Sequence, residues 1–228
     1  MREIVFDTET TGLDPFDGHR IVEIGCIELI NRIPSGVTFH RYLNPERDVP
    51  DGAFRVHGLS ADFLKDKPLF ADVCDELMEF FGDAALIAHN ASFDYGFICA
   101  ELDRAKRATL TRERLIDTIA LARRKHSAGP YSLDALCVRY GIDNSKRTKH
   151  GALLDAELLA EVYLELIGAR QASLILLENG SSAGGRRGAA LQRPIALPPR
   201  VSEADIAAHR DFIASLGDAP LWSNYQAG

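Results

Sequence analysis

The sequence predicts an α/β fold, a mixed β-sheet flanked by helices, followed by a linker and a short helical tail. Three observations carry this. Apolar runs at residues 3–7 (Glu-Ile-Val-Phe-Asp), 21–30 (IVEIGCIELI) and 37–43 (VTFHRYL) read as a strand meander. From residue 69 onward the apolar spacing becomes helical, with one short apolar run at 84–88 between helices. Near residue 179 the composition changes to Gly, Ser, Arg and then Pro. A meander followed by alternating strand and helix suits a sheet covered by helices.

In chain order, 3–7 is a short buried strand ending at Asp7. The connection Asn31 to Gly36 contains Pro and Gly, as a hairpin does. Pro45, Pro50 and Gly52 mark an irregular stretch. Residues 69–82 place Phe70, Val73, Cys74, Leu77, Phe80 and Phe81 at helical spacing, with Gly82 as the stop. Residues 84–88 form a second buried strand, and 91–107 a helix. Residues 132–140 form a helix with Ser132 as N-cap and Gly141 at its end. Residues 152–167 complete a domain spanning 1–170. Residues 178–200 include NGSSAGGRRG and three prolines, a flexible and then stiffer linker. Helical spacing returns over 202–216, behind Ser202. The only Trp follows, and a tail of 201–228 is too small to bury it alone. Leu221, Trp222 and Tyr225 therefore read as anchors for a partner protein.

With 46% hydrophobic and 26% charged residues, the 228-residue chain can form a sizeable core and remain soluble. Its apolar runs are far shorter than the ~20 residues that span a bilayer. The strand starting at Glu3 predicts no signal peptide, and a cytoplasmic location follows. Cys26, Cys74, Cys99 and Cys137 lie apart in apolar stretches, which fits buried free thiols rather than a zinc site. The net charge of −7 excludes a protein that grips long nucleic acid through its phosphates alone. A small nucleic-acid contact remains open if metal ions supply the positive charge.

Three motifs carry the chemistry. In Asp7-Thr8-Glu9-Thr10-Thr11-Gly12, residues two apart in an extended chain share a face, so Asp7 and Glu9 point together. Paired carboxylates repel unless a cation or proton lies between them, and hard oxygen ligands suit Mg²⁺ or Mn²⁺. His89-Asn90-Ala91-Ser92-Phe93-Asp94 follows the strand 84–88, so Asp94 lies in a helix's first turn at a strand's C-terminal end. In His150-Gly151-Ala152-Leu153-Leu154-Asp155, an acid stands on an otherwise apolar helix, with a histidine on the loop before it.

The combination resembles the DEDD exonucleases with a catalytic histidine, a branch of the ribonuclease H-like superfamily. Its pattern of D-x-E, N-x-x-x-D and H-x4-D is met by Asp7 and Glu9, Asn90 and Asp94, and His150 and Asp155. The runs GHRIVEIGCIEL, FHRYLNP, VHGLS and SLDALCVRYGIDNSKRTKHGALLDAELLAEVYL are similar to proofreading subunits of bacterial replicative polymerases, over roughly residues 2–170. The resemblance implies a ribonuclease H-like sheet and two-metal hydrolysis of 3′-terminal phosphodiesters. It implies that Asp7, Glu9 and Asp155 hold one ion, that Asp7 reaches a second with help from Asp94 through water, and that His150 is the general base. It implies that Thr10, Thr11, Val56, His57, Asn90 and Phe93 line the site for a DNA 3′ end. Lys146, Arg147 and Lys149 read as local phosphate contacts, and Arg104, Lys106, Arg107, Arg112 and Arg114 as a solvated face. Gln171 and Leu174, within 171–177, resemble a sliding-clamp-binding segment. The tail resembles one that docks on the catalytic polymerase subunit, and a small third core subunit is a further candidate partner. Two other readings use the same residues: a stand-alone exonuclease trimming RNA or single-stranded DNA ends, and an inactive scaffold between polymerase and clamp. The linker and tail argue against the first, the complete set of acids with His150 against the second.

Overall fold

The computed structural model describes residues 1–169 and 201–216. In the first stretch, β1 (Arg2–Thr10), β2 (Ile21–Ile30) and β3 (Ile33–Tyr42) form the meander. Two short helices follow, α1 (Asp51–His57) and α2 (Ala61–Leu64), then α3 (Phe70–Phe81), β4 (Ala85–Ala88) and α4 (Ala91–Arg104). The remainder is β5 (Leu115–Asp117), α5 (Thr118–Lys125), α6 (Leu133–Tyr140) and α7 (Ala152–Leu166). The second stretch holds α8 (Glu203–Ser215), capped by Ser202, whose hydroxyl accepts from Asp205 N. Gln171, Leu174, Leu221, Trp222 and Tyr225, and the 178–200 linker, lie outside the described residues.

The sheet has the order β3-β2-β1-β4-β5, antiparallel through the meander and parallel from β1 to β5. It is the mixed sheet that the sequence predicts. Four regions differ from expectation. β1 runs on to Thr10, because β2 pairs with it as far as Thr10 opposite Ile21, so Asp7 lies inside the strand instead of ending it. The hairpin turns on Asn31 and Arg32, both left-handed with φ of 51° and 66°, as a two-residue type I′ turn requires. Pro34 and Gly36 therefore fall within β3, an edge strand where a missing N–H is tolerated. The stretch after Pro50 contains α1 and α2, and β5 and α5 add to the pattern.

Strand alternation divides the core in two. On β1, Ile4 and Phe6 join a cluster with α3 and α4, through residues such as Phe70, Leu77, Phe97 and Leu102. Val5 joins the opposite cluster, with Leu136, Leu159 and Val162 of α6 and α7. Glu3 faces the same way as Val5, and its carboxylate accepts from Tyr163 Oη at 2.6 Å. Asp7 and Glu9 continue that face toward α7, while Thr8 continues the other toward α4. Of the basic residues expected on a solvated face, Arg104, Lys106, Arg107 and Arg112 are exposed, Arg104 donating to Pro15 O and Arg107 pairing with Asp75 at the surface, whereas Arg114 is half-buried and donates to Phe81 O and Ala84 O.

Gly25 sits opposite Asp7 in the β1–β2 register. A Cβ there would lie 2.2 Å from the Leu153 backbone nitrogen, so only glycine lets the start of α7 rest against the sheet at this point. Gly25→Ala is expected to lower stability by about 3 kcal/mol, since the obstacle is backbone that cannot rotate away. Denaturant unfolding of the two proteins in chelator checks this.

Candidate active site

The parallel pairing of β1 with β4 covers only Glu3 to Val5, against Ala85 to Ile87. Beyond Val5 the strands part, leaving a crevice at their C-terminal ends, the place where α/β sheets bind ligands. The Thr8 N–H, released from strand pairing on that side, donates to Asp94 Oδ1 at 3.0 Å, and the Thr8 hydroxyl donates to the same oxygen at 2.7 Å. Asp94 reaches this point from the first turn of α4. Asn90, in the left-handed conformation at φ 64°, turns the chain from β4 into that helix, and its backbone N–H donates to Asp117 Oδ1.

Asp155 arrives from the first turn of α7, the helix admitted by Gly25. Asp7, Glu9, Asp94, Asp155 and His150 thus line one cavity of about 410 Å³. One ligand atom each from Glu9, His150 and Asp155 come within 4.8 Å of one another. The loop carrying His150 is tied to α1 by its backbone N–H, which donates to Val56 O.

Burial raises the pKa of Asp7 well above the ordinary carboxylate range, and the neighbouring charges of Asp94, Glu9 and Asp155 push it further. Glu9 is pushed up to about 8 by burial and then by Asp155 and Glu23. Burial also raises Asp94, to about 7, although the Thr8 hydrogen bonds oppose it. The His150 pKa is lowered, first by burial and then by the positive charge of Arg147. A desolvated acid cluster with an imidazole beside it is a donor set for a hard divalent cation, and the residues present fit such an ion.

A second cavity of about 610 Å³ adjoins the first, sharing Thr8, Glu9 and Phe93 with it. Thr10, Thr11, Val56 and His57 line it. Asn90 lines neither cavity; its place is the turn into α4. His57 is buried, and its Nδ1 accepts from Leu59 N at 3.0 Å, so the ring is neutral with its proton on Nε2. Among the described residues that buried Nε2 makes no well-formed hydrogen bond, with the Thr10 backbone beside the ring. The loop over this cavity is fixed from below: Arg20 donates to both Glu101 oxygens at 2.7 and 3.0 Å, and its backbone N–H donates to Thr11 Oγ1. Phe93 packs against Phe97 with centroids 4.9 Å apart, so it serves core and cavity together.

Sequence reasoning missed several residues that line the two cavities, Leu13, His19 and His89 among them. Leu13 and His19 join the second cavity, and a Cβ at Gly12 would collide with the His19 ring, which makes that glycine the one available signal. His89 lines the first cavity, with Nδ1 against Thr118 Oγ1 at 2.9 Å. Arg147, expected to contact phosphate, instead pairs with Asp155 and Asp134.

The exonuclease (RNase T) family model matches residues 4–163. The DNA polymerase III subunit epsilon of Rickettsia felis is 46% identical over 224 residues, covering 95% of this chain and 97% of that protein. That of Escherichia coli is 44% identical over 236 residues, covering 97% of each. The chain belongs to the DNA polymerase III epsilon-subunit family of exonucleases. Among solved structures, the nuclease domain of 3′hExo, a DEDDh family member bound to rAMP, superposes with a TM-score of 0.64 at 16% identity, covering 74% of this chain and 92% of that one. Exonuclease X in complex with 5′-overhanging duplex DNA gives a TM-score of 0.57 at 24% identity, covering 73% and 91%. These two share the ribonuclease H-like fold with this epsilon-family chain.

The raised Glu9 pKa has a signed consequence. A carboxyl that titrates near 8 when folded and near 4.5 otherwise favours the folded state while protonated. That stability is present at low pH and lost as pH rises through about 8. In chelator, the thermal midpoint is therefore expected to fall between about pH 5 and about pH 8.5, and Glu9→Gln is expected to reduce that fall. Thermal melts of both proteins across this range check it.

Proposed function

We propose that this chain proofreads DNA by removing mispaired 3′-terminal nucleotides through divalent-metal-dependent phosphodiester hydrolysis, with two ions, Mg²⁺ or Mn²⁺, held by Asp7, Glu9, Asp94 and Asp155. The observation that carries the reading is the convergence of these acids with His150 on one cavity beside a second, nucleotide-sized one. When bound, the ions polarise the scissile phosphate and lower the pKa of the attacking water.

The side chains divide the remaining work. Glu9 and Asp155, with His150 beside them, face the reacting phosphate. Asp94 has one oxygen committed to Thr8, so only its other oxygen is free to act. The lowered pKa of His150 keeps its ring neutral near physiological pH, the form in which it takes a proton from water. The Nε2–H of His57 is a buried donor for an oxygen of the terminal nucleotide, and Thr10, Thr11 and Val56 supply walls around it. Asn90 sets the direction of α4 and so the position of Asp94. No group in this set reads base identity. Selection for mispairs comes from the lower cost of unpairing a mismatched end.

The family places the activity in the polymerase III core. We assign Leu221, Trp222 and Tyr225 to docking on the catalytic polymerase subunit, and Gln171 and Leu174 to the sliding clamp. A small third core subunit is a further partner. Two weak tethers on one chain raise the exonuclease's effective concentration at the primer end. No described helix is long and apolar enough to cross a membrane. Four free thiols suit the reducing cytoplasm in which replication proceeds.

Digestion of a 3′-mismatched primer–template with Mg²⁺ or Mn²⁺ tests the reading. Wild type is expected to shorten the primer from its 3′ end, and Asp7→Ala to lose roughly 10³-fold or more in rate. Absence of cleavage by folded wild-type protein with either ion contradicts the assignment. His57→Phe is expected to raise KM by about tenfold with less change in kcat, because the lost donor acts in binding. Steady-state kinetics on a single-stranded oligonucleotide separates the two parameters.

A further inference from the structure

The metal-binding cavity contains a cation of the chain's own. The side chain of Arg147 is 7% exposed, and its planar fork covers both oxygens of Asp155. Nε donates to Oδ1 at 2.6 Å and Nη2 to Oδ2 at 2.7 Å. Nη2 also lies 2.9 Å from His150 Nδ1. The same nitrogen lies 3.4 Å from His150 Nε2, so the guanidinium rests against the imidazole ring and not along one lone pair. Asp155 and His150 supply two of the three ligand atoms that converge with Glu9. A guanidinium and a divalent ion therefore compete for the Asp155 oxygens and for the space beside the His150 ring.

The remaining nitrogen has a different kind of partner. Nη1 donates to Asp134 Oδ2 at 2.9 Å, and the Asp134 side chain is 57% exposed. Arg147 can let go of Asp155 and keep a carboxylate toward solvent. Its backbone permits this, since residues 141–151 between α6 and α7 form a turn-rich connection and not a helix or strand.

We propose that Arg147 is a displaceable placeholder cation. It neutralises Asp155 and engages His150 until a divalent ion arrives, then moves aside while still held by Asp134. One displacement thus frees both oxygens of a metal ligand and uncovers the imidazole beside it, which couples metal loading to access to the base. The inference rests on the divalent-ion reading of this cavity. It assigns Arg147 a positioning role that opposes metal binding, whereas a simple scaffold for Asp155 would assist it.

Calorimetric titration of the full chain with Mn²⁺, without substrate, separates these. Arg147→Met removes the competing cation, and Mn²⁺ affinity is expected to rise about 5–10-fold, because the ion no longer displaces a charge-assisted fork. Arg147→Lys keeps the charge but cannot cover both oxygens, and a rise of about two- to threefold is expected. In the same proteins the thermal midpoint in chelator is expected to fall, and the upward shift on saturating Mn²⁺ to exceed that of wild type. Should Arg147→Met fail to fold, Arg147→Lys decides alone. Equal or weaker Mn²⁺ binding in the folded variants overturns the proposal. Absence of Mn²⁺ binding by wild type and variants alike overturns the divalent-ion reading beneath it.

Discussion

Like charges brought together out of water repel, and this fold gathers Asp7, Glu9, Asp94 and Asp155 around one cavity. Three of these carboxyls hold their protons well above the usual range, with burial as the leading cause. Such a cluster is stable only with protons or cations among its oxygens. The chain supplies a first cation in Arg147. Divalent ions supply stronger charge at the moment of reaction, which reconciles a protein of net charge −7 with a polyanionic substrate.

The scaffold holds these charges in place through a few close contacts. Glycine opposite Asp7 lets α7 lie against the sheet and bring Asp155 to β1. The early end of the β1–β4 pairing frees the Thr8 N–H, which holds Asp94 across the crevice. Two acids come from one strand face, one from the helix above that face, and one from a helix on the other side. Stability elsewhere balances the local repulsion. The two apolar clusters on either side of the sheet and the buried Arg20–Glu101 pair contribute here, and the pair also fixes the loop above the second cavity.

Much of this was legible in the sequence. Asp7 and Glu9 are two apart, so any extended chain aligns them, and the fold required only a strand. The apolar spacing of α3 and α7 survives because each buries one broad face. β5 has only three residues, and the α5 that follows ends in Arg123-Arg124-Lys125, so neither leaves a periodic signal. The hairpin connection expected over Asn31 to Gly36 contains the true turn but is too long, because Pro34 and Gly36 usually mark turns whereas only Asn31 and Arg32 adopt the left-handed pair. Arg147 was the most misleading residue. It stands in a basic loop that reads as a phosphate contact, and its partner Asp155 lies eight residues away across a change from loop to helix. No periodicity links the two, and only the tertiary packing of α6 and α7 brings them together.

At neutral pH Asp7 and Glu9 retain protons that an arriving metal ion would displace. Calorimetric titration with Mn²⁺ at about pH 7, in two buffers of different ionisation enthalpy, counts protons released on binding. The account predicts release of about one proton or more per chain, chiefly from Asp7 and Glu9. Mn²⁺ binding with no proton release contradicts it.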